Sequence, residues 1–379
     1  VDTQLSFATV AKILTTNPHL KRLSVSAWVS GERDVESMSS ALRGATSLTN
    51  LHFVDRSFHD TTPLWSSLAA VTGLRALSVS MQADESSLLD GSVQNTLTRL
   101  HYLRLTSASI PPTHLSSILP HCTQLTCLML DDYGLTSLHH IARHLPPSLH
   151  YLSVDDNPLS GFHLPLLKST LTCLRLQSCS LGRTPLSQKT LLSLSTCSLQ
   201  TLNISDNQLS YKECRNLIHH LPPSLTSLDI SFNVVGDNVL ALSSLHLREL
   251  SAVSADMDGD MSSQLIQRCT TLRHLNISCN NLTVADLRLI LSALDSPASN
   301  LLHLSAAGNP FGAAAADLIC SALHKTTLVA LDVAWSQLGD RGRRSVEEAG
   351  SVAGVNVDAS FQDIQHAPQL TRALKRKAD

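Results

Sequence analysis

Residues 199–209 read Leu199-Gln200-Thr201-Leu202-Asn203-Ile204-Ser205-Asp206-Asn207-Gln208-Leu209. Leu202 and Ile204 alternate with polar neighbours, the period-two pattern of a short strand with one buried face. The alternation stops at Asn207, and an apolar residue returns at Leu209. Outward from this stretch the same phrase recurs along the chain. First leucines stand at Leu20, Leu48, Leu74, Leu100, Leu125, Leu149, Leu171, Leu199, Leu225, Leu247, Leu272, Leu301 and Leu328. Three residues after each stands a second leucine, from Leu23 to Leu331, and two further on an aliphatic or other apolar residue, from Val25 to Val333. Repeats are 22 to 29 residues apart. A leucine-rich composition alone would not fill both columns thirteen times.

A polar column confirms the register. Eight residues after the first leucine stand Asn157, Cys179, Asn207, Asn233, Asn280 and Asn309. Two residues later an apolar side chain recurs, as at Leu135, Leu159, Leu181, Leu209 and Leu282. Where the chain turns out of the strand, backbone N–H and C=O groups lose their ladder partners. A buried Asn can satisfy them across adjacent coils, which predicts a structural Asn/Cys ladder at these six positions.

The motif Leu-x-x-Leu-x-Leu-x-x-Asn/Cys-x-Leu resembles the leucine-rich-repeat family over nearly the whole chain. Several repeats carry a helical pattern after the turn, as in Val284, Leu287, Leu291 and Leu294. Another runs from Ala313 to Leu323 with Leu318, Ile319 and Leu323 inward. These long repeats resemble the ribonuclease-inhibitor-like subclass. The resemblance implies an α/β solenoid, with a curved parallel sheet on the concave face and helices and short turns on the convex face. The repeats from Leu149 and Leu225 depart from it. Each follows the phrase His-Leu-Pro-Pro-Ser-Leu and has only 22 residues, too few for a full convex helix, so a 3₁₀ turn or extended segment is expected. A fourteenth strand is expected at Val352, Val355 and Val357, giving a sheet about 60 Å long at roughly 4.8 Å per strand. Ser6 to Leu14, with Phe7, Val10, Ile13 and Leu14 inward, reads as the first convex helix. It shows no polar cap, so further sequence is expected before Val1. The reading gives one repeat domain over 1–360, of about 13 to 14 repeats, and a C-terminal basic tail over 361–379.

Composition agrees. Hydrophobic residues make up 43% and aromatics only 4%, which suits thin leucine layers better than a globule anchored on large rings. A net charge of −3 gives no general attraction to nucleic acid. The 18 histidines read mostly as surface polar residues. Nine cysteines, an odd number without CxxC spacing, predict a reduced intracellular, cytoplasmic protein. No signal peptide and no apolar run of spanning length is seen. Organelle import stays open, because the numbering begins at Val1 and not at Met.

The register also says which side chains leave the sheet on its concave side. In the central repeats these include Tyr102, Arg104, Met129, Asp131, Tyr151, Asp155, Arg175, Asn203 and Asp229, the candidate partner-binding residues. Strand exits add Asp132, Asp156 and Asp206, while the entries carry Arg75, Arg248, Arg273, His101 and His150. Two readings stand for the carboxylates. They form a docking groove for a partner with a basic ridge, with Tyr102 and Tyr151 as anchors. Alternatively, Asp at a strand exit bonds turn amides.

No catalytic motif emerges: there is no GxxxxGK[ST], GxSxG, HExxH or GxGxxG at a strand–helix junction. No catalytic residue, metal ligand or cofactor is therefore assigned, although Cys127 and Cys173 fall on the same face. The leading expectation is a non-catalytic protein–protein interaction scaffold, a subunit of a larger assembly. One alternative is a regulator of an enzyme such as a GTPase, as in Ran GTPase-activating proteins, for which no contributing Arg or Asn can be placed. The other is an RNA-contacting component of a ribonucleoprotein, through the basic tail Leu370 to Lys377.

Overall fold

The computed structural model describes residues 5–28, 32–55, 62–80, 95–106, 112–159, 170–183 and 187–360. The chain divides into two compact units, residues 1–179 and 180–379. The basic tail lies outside the described residues.

The N-terminal unit holds β1 (Leu5–Ser6), β2 (Arg22–Trp28), β3 (Asn50–Asp55), β4 (Ala76–Ser80), β5 (Tyr102–Leu105), β6 (Cys127–Met129), β7 (Tyr151–Ser153) and β8 (Cys173–Arg175). They pair in parallel and in chain order. The C-terminal unit holds β9 (Thr201–Asn203), β10 (Ser227–Asp229), β11 (Glu249–Ser251), β12 (His274–Asn276), β13 (His303–Ser305), β14 (Ala330–Asp332) and β15 (Asn356–Asp358). These also pair in parallel and in order. Parallel neighbours need a crossover, and where the connection is described the coil supplies one as a helix or turn.

Every strand from β2 to β14 begins two residues after a first leucine. Paired strands therefore stack leucine on leucine: Leu51 opposes Leu77, and Leu275 opposes Leu304. First leucines from Leu48 to Leu328 and second leucines from Leu51 to Leu331 are all buried. Burying a leucine side chain is worth about 1.5–3 kcal/mol, so these two columns dominate the stability of each coil. The strands are short, but their hydrogen bonds run on past them. Ile204 N–H donates to the Asp229 carbonyl (2.9 Å) and Asp206 N–H to that of Ser231 (2.8 Å).

The crossovers follow their lengths. Thr283 caps the helix Val284–Leu294 in a reciprocal box with Asp286, and Leu287, Ile290, Leu291 and Leu294 face inward. The 22-residue repeat from Leu225 carries the 3₁₀ helix Gly236–Ser244. The crossover of the repeat from Leu149 (160–169) lies outside the described residues. Helix Ala315–Leu323 buries Ala315, Ala316, Ile319 and Leu323, whereas Leu318 is half-buried.

Two expectations need correction. The last strand is Asn356–Asp358, and Val352 belongs instead to the helix Gly339–Ala353, where it is 73% exposed. That helix has 15 residues, and on it Arg343 pairs with Glu347 one turn on (2.9 Å). In the first helix, Phe7–Thr16, Ala11 takes the buried place expected for Ile13, which is half-buried. A two-residue strand, β1, precedes that helix. Ser6 then accepts a bond from Thr9 N–H as its cap, and Phe7 packs edge-on against Phe53 (5.0 Å).

Candidate partner-binding face

The ladder shows how each coil holds its neighbour. The Asn157 side-chain oxygen accepts from Tyr133 N–H (3.1 Å) and Leu135 N–H (2.9 Å) of the coil before it. Its amide group donates to Leu130 O in that coil and to Val154 O and Asp155 O in its own. Asn233, Asn280 and Asn309 repeat this arrangement, and Asn207 accepts from Leu181 N–H (3.3 Å). Cys179 is a weaker member: its thiol donates to Val154 O (3.1 Å), and burial pushes its pKa up to about 12, so it stays protonated. Tyr133, Ala255 and Ser336, all buried, occupy the corresponding place in other coils.

Residues flanking the ladder adopt left-handed backbone. Asp132, Asp156, Ser178, Asp206, Phe232, Ser254, Cys279 and Trp335 have φ between 49° and 60° just before it. Ser180, Gln208, Asp256, Asn281 and Gln337 have φ between 56° and 62° just after it. Asp tolerates this region better than most residues. Its recurrence at three strand exits thus has a backbone reason beside any charge-based one.

In the N-terminal unit the sheet's open face brings seven of the candidate residues together, five on β5 to β8 and Asp131 and Asp155 just past β6 and β7. One cross-strand row runs Tyr102, Cys127, Tyr151, Cys173, and the next runs Arg104, Met129, Ser153, Arg175. The Tyr102 hydroxyl donates to Met129 Sδ (3.2 Å). Arg104 pairs loosely with Asp131 (3.7 Å), which also accepts from the Ser153 hydroxyl and Asp155 N–H (3.2 Å). Arg175 grips Asp155 through Nε (2.8 Å) and Nη2 (2.7 Å), and Gln177 N–H adds a third bond (2.7 Å). Burial raises the Asp155 carboxyl pKa, outweighing the pull of Gln177 N–H and Arg175. Burial also pushes the Tyr151 phenol up to about 12 and the Cys127 thiol up to about 11, so both remain protonated and uncharged at neutral pH.

The two remaining candidates lie in the C-terminal unit. The Asn203 side-chain oxygen accepts from Ser205 N–H (2.9 Å) and Oγ (2.8 Å), and Asp229 accepts from Ser231 N–H (3.0 Å). Asn276, Asp332 and Asp358 make the same local bond two residues ahead. Asp155 and Asn203 are buried. The other seven are half-buried: Tyr102, Arg104, Met129, Asp131, Tyr151 and Arg175 in the first unit and Asp229 in the second. Two clusters had no clear sequence signal. His274 lies against Glu249 (3.5 Å) and stacks edge-on with His303 (4.3 Å), because consecutive strands put the three side by side. Phe232 and Trp335, both half-buried, pack on Val253 and Cys279 at the strand exits. Among the described residues no group of three His, Cys, Asp or Glu side chains could hold a metal ion, and no helix is long and apolar enough to cross a membrane.

Parallel strands in chain order, an Asn ladder and helical crossovers define a leucine-rich-repeat solenoid. A family described as "Leucine Rich repeat" matches residues 196–212, 222–238, 268–291 and 324–346. A second, "FBD-associated F-box protein At5g56370, LRR repeats", matches residues 35–157. The chain is a leucine-rich-repeat protein of the ribonuclease-inhibitor-like kind. It is 30% identical over 298 residues to the ribonuclease inhibitor of Sus scrofa, a match covering 62% of this chain and 63% of that relative's length. A chain of the yeast Rad7–Elc1 complex has a similar fold at 17% identity and a TM-score of 0.50, covering 88% of this chain and 85% of that one. An internalin from Listeria monocytogenes matches at 17% identity and a TM-score of 0.38, over 80% of this chain and 88% of its own.

Proposed function

We propose that this protein is an interaction scaffold, one subunit of a larger intracellular assembly, that presents the open face of its sheet to a protein partner. The observation that carries the reading is the run of half-exposed long side chains on β5 to β8. Tyr102 is tied to Met129, Arg175 to Asp155, and Tyr151 stands between two half-buried cysteines. Aromatic and Arg side chains already held in place lose little freedom on docking, and such residues dominate interface energies. The pig relative is named for inhibiting ribonuclease, and the yeast neighbour is a chain of the Rad7 and Elc1 complex; both are in keeping with a protein partner here. Nine free cysteines suit a reducing compartment and hence the cytoplasm.

The test places a photo-crosslinking amino acid at Tyr151 in one variant and at Leu192, an exposed helical position, in another. A partner crosslinked from Tyr151 and not from Leu192, whose purified form binds the chain and fails to bind Tyr151→Lys, supports the reading. Crosslinks from Leu192 alone would sink it.

A further inference from the structure

The N-terminal unit has a second feature on its open face, beside the run just described. A pocket of about 580 Å³ opens over β2 to β5, within the roughly 300–1,000 Å³ usual for ligand sites. Its origin is a step in side-chain size. Across the sheet, Arg22, Asn50, Ala76 and Tyr102 form one row and Ser24, His52, Ser78 and Arg104 the next. The short side chains of Ser24, Ala76 and Ser78 leave the floor low, while Arg22 on one side and Tyr102 with Arg104 on the other stand as walls.

Among the described residues that line this pocket the charge has one sign: Arg22 is exposed, Arg104 is held loosely by Asp131 at 3.7 Å, and none of these lining residues is a carboxylate. His52 is oriented by a bond between Nδ1 and the Ser78 hydroxyl (2.7 Å). A guanidinium carries five N–H donors in a fork matched to carboxylate geometry, so the distant Asp131 oxygen and a bond to Tyr102 still leave Arg104 with donors to offer. The two arginines stand three strands and two residues apart, about 16 Å between backbones, which an extended peptide covers in about five residues.

We propose that this pocket binds an acidic peptide segment, with Arg22 and Arg104 pairing two of its carboxylates and Tyr102 flanking the chain between them. A polynucleotide fits less well. Single strands are held by a continuous basic track with several stacking aromatics, whereas among the described lining residues Tyr102 is the one tyrosine, and Asp131 closes the track at the next strand. The proposal rests on the reading of the open face as a binding face and adds the chemistry of one occupant.

The test is fluorescence anisotropy of a rhodamine-labelled Glu-Glu-Leu-Glu-Glu peptide titrated with the full chain. Saturable binding is expected, weakened at least tenfold by Arg22→Glu combined with Arg104→Gln. Ala76→Tyr, which raises the floor without changing charge, should weaken it similarly. Arg273→Glu in the other unit should leave it unchanged, with circular dichroism confirming that every variant is folded. The assignment is overturned if the pocket variants bind like the parent. It is also overturned if the Lys-Lys-Leu-Lys-Lys peptide binds as well, or if a five-nucleotide uridylate binds more tightly with the same sensitivity to the variants. Should the pocket variants have no effect on the peptide while Tyr151→Lys still abolishes partner binding, the pocket assignment falls and the open-face reading stands.

Discussion

Replacing Asn280 tests the ladder directly. Its side-chain oxygen accepts from Ala255 N–H (2.8 Å) and Met257 N–H (3.1 Å), and its amide donates to Ala252 O, Ile277 O and Ser278 O (2.8, 2.9 and 3.2 Å). Asn280→Ala leaves two buried N–H groups without this acceptor, each costing about 1–3 kcal/mol. The carbonyls add less, since an oxygen with two lone pairs is more often left under-satisfied. A loss of about 3 kcal/mol is expected after partial relaxation. Repeat arrays can unfold in parts, so a local probe is better than a single global midpoint. Hydrogen exchange by mass spectrometry should show the amides of Ala255 and Met257 losing about 100-fold in protection. Asn280→Cys should cost less than Ala, because at the same ladder position the Cys179 thiol donates to Val154 O of the coil before it. Asn280→Asp should cost more, since a carboxylate would face three carbonyl oxygens and bury a charge. An alanine variant within 1 kcal/mol of the parent, or an aspartate variant no worse than alanine, would refute the reasoning.

Arg175→Met should destabilise the first unit by about 2 kcal/mol, below the roughly 3–5 kcal/mol of a fully buried pair, because the arginine is about a third exposed. Adding Asp155→Asn should recover most of the loss in urea melts. Burial alone would raise the Asp286 carboxyl pKa, but bonds from Thr283 N–H and Oγ1 and from Gly259 N–H outweigh it and hold the carboxyl below its ordinary value. Its contribution is therefore present above a pH of about 3.9, the unfolded value, and fades as pH falls further; Asp286→Asn should flatten that limb of an acid titration. A Cβ on Gly182 would sit 2.0 Å from the Gln208 carbonyl oxygen. Gly182→Ala should thus lower the thermal midpoint, at a cost of about 1–3 kcal/mol, and an unchanged midpoint would contradict the close coil-to-coil approach.

The strands were readable because two leucine columns and an apolar third state the period of each one outright. β1 was not, since Leu5 and Ser6 are too few to show an alternation. Val352 misled because Val352, Val355 and Val357 repeat the three-then-two spacing of the leucine columns, whereas the helix runs on through Val352 and ends only at the left-handed Gly354. The ladder asparagines could be found from type and position together. Their flanking left-handed residues could not, because Trp335, Phe232 and Gln208 give none of the usual glycine signal. The carboxylates of Asp155 and Asp229 could be placed on a face, but whether they turn to solvent or to a backbone N–H depends on bond geometry. The pocket depends on Ser24 and Ala76, whose smallness matters only between the walls of Arg22 and Tyr102, which stand 80 positions apart in the chain.

The ladder is also polarised. In Asn233, Asn280 and Asn309 the side-chain oxygen always takes its N–H donors from the coil on the N-terminal side. Peeling away the C-terminal neighbour orphans N–H groups in the coil that stays behind. Peeling away the N-terminal neighbour leaves behind an amide that water can reach. The C-terminal unit should therefore erode more readily from its far end inward, and shortening it there should be felt one coil deeper than the cut.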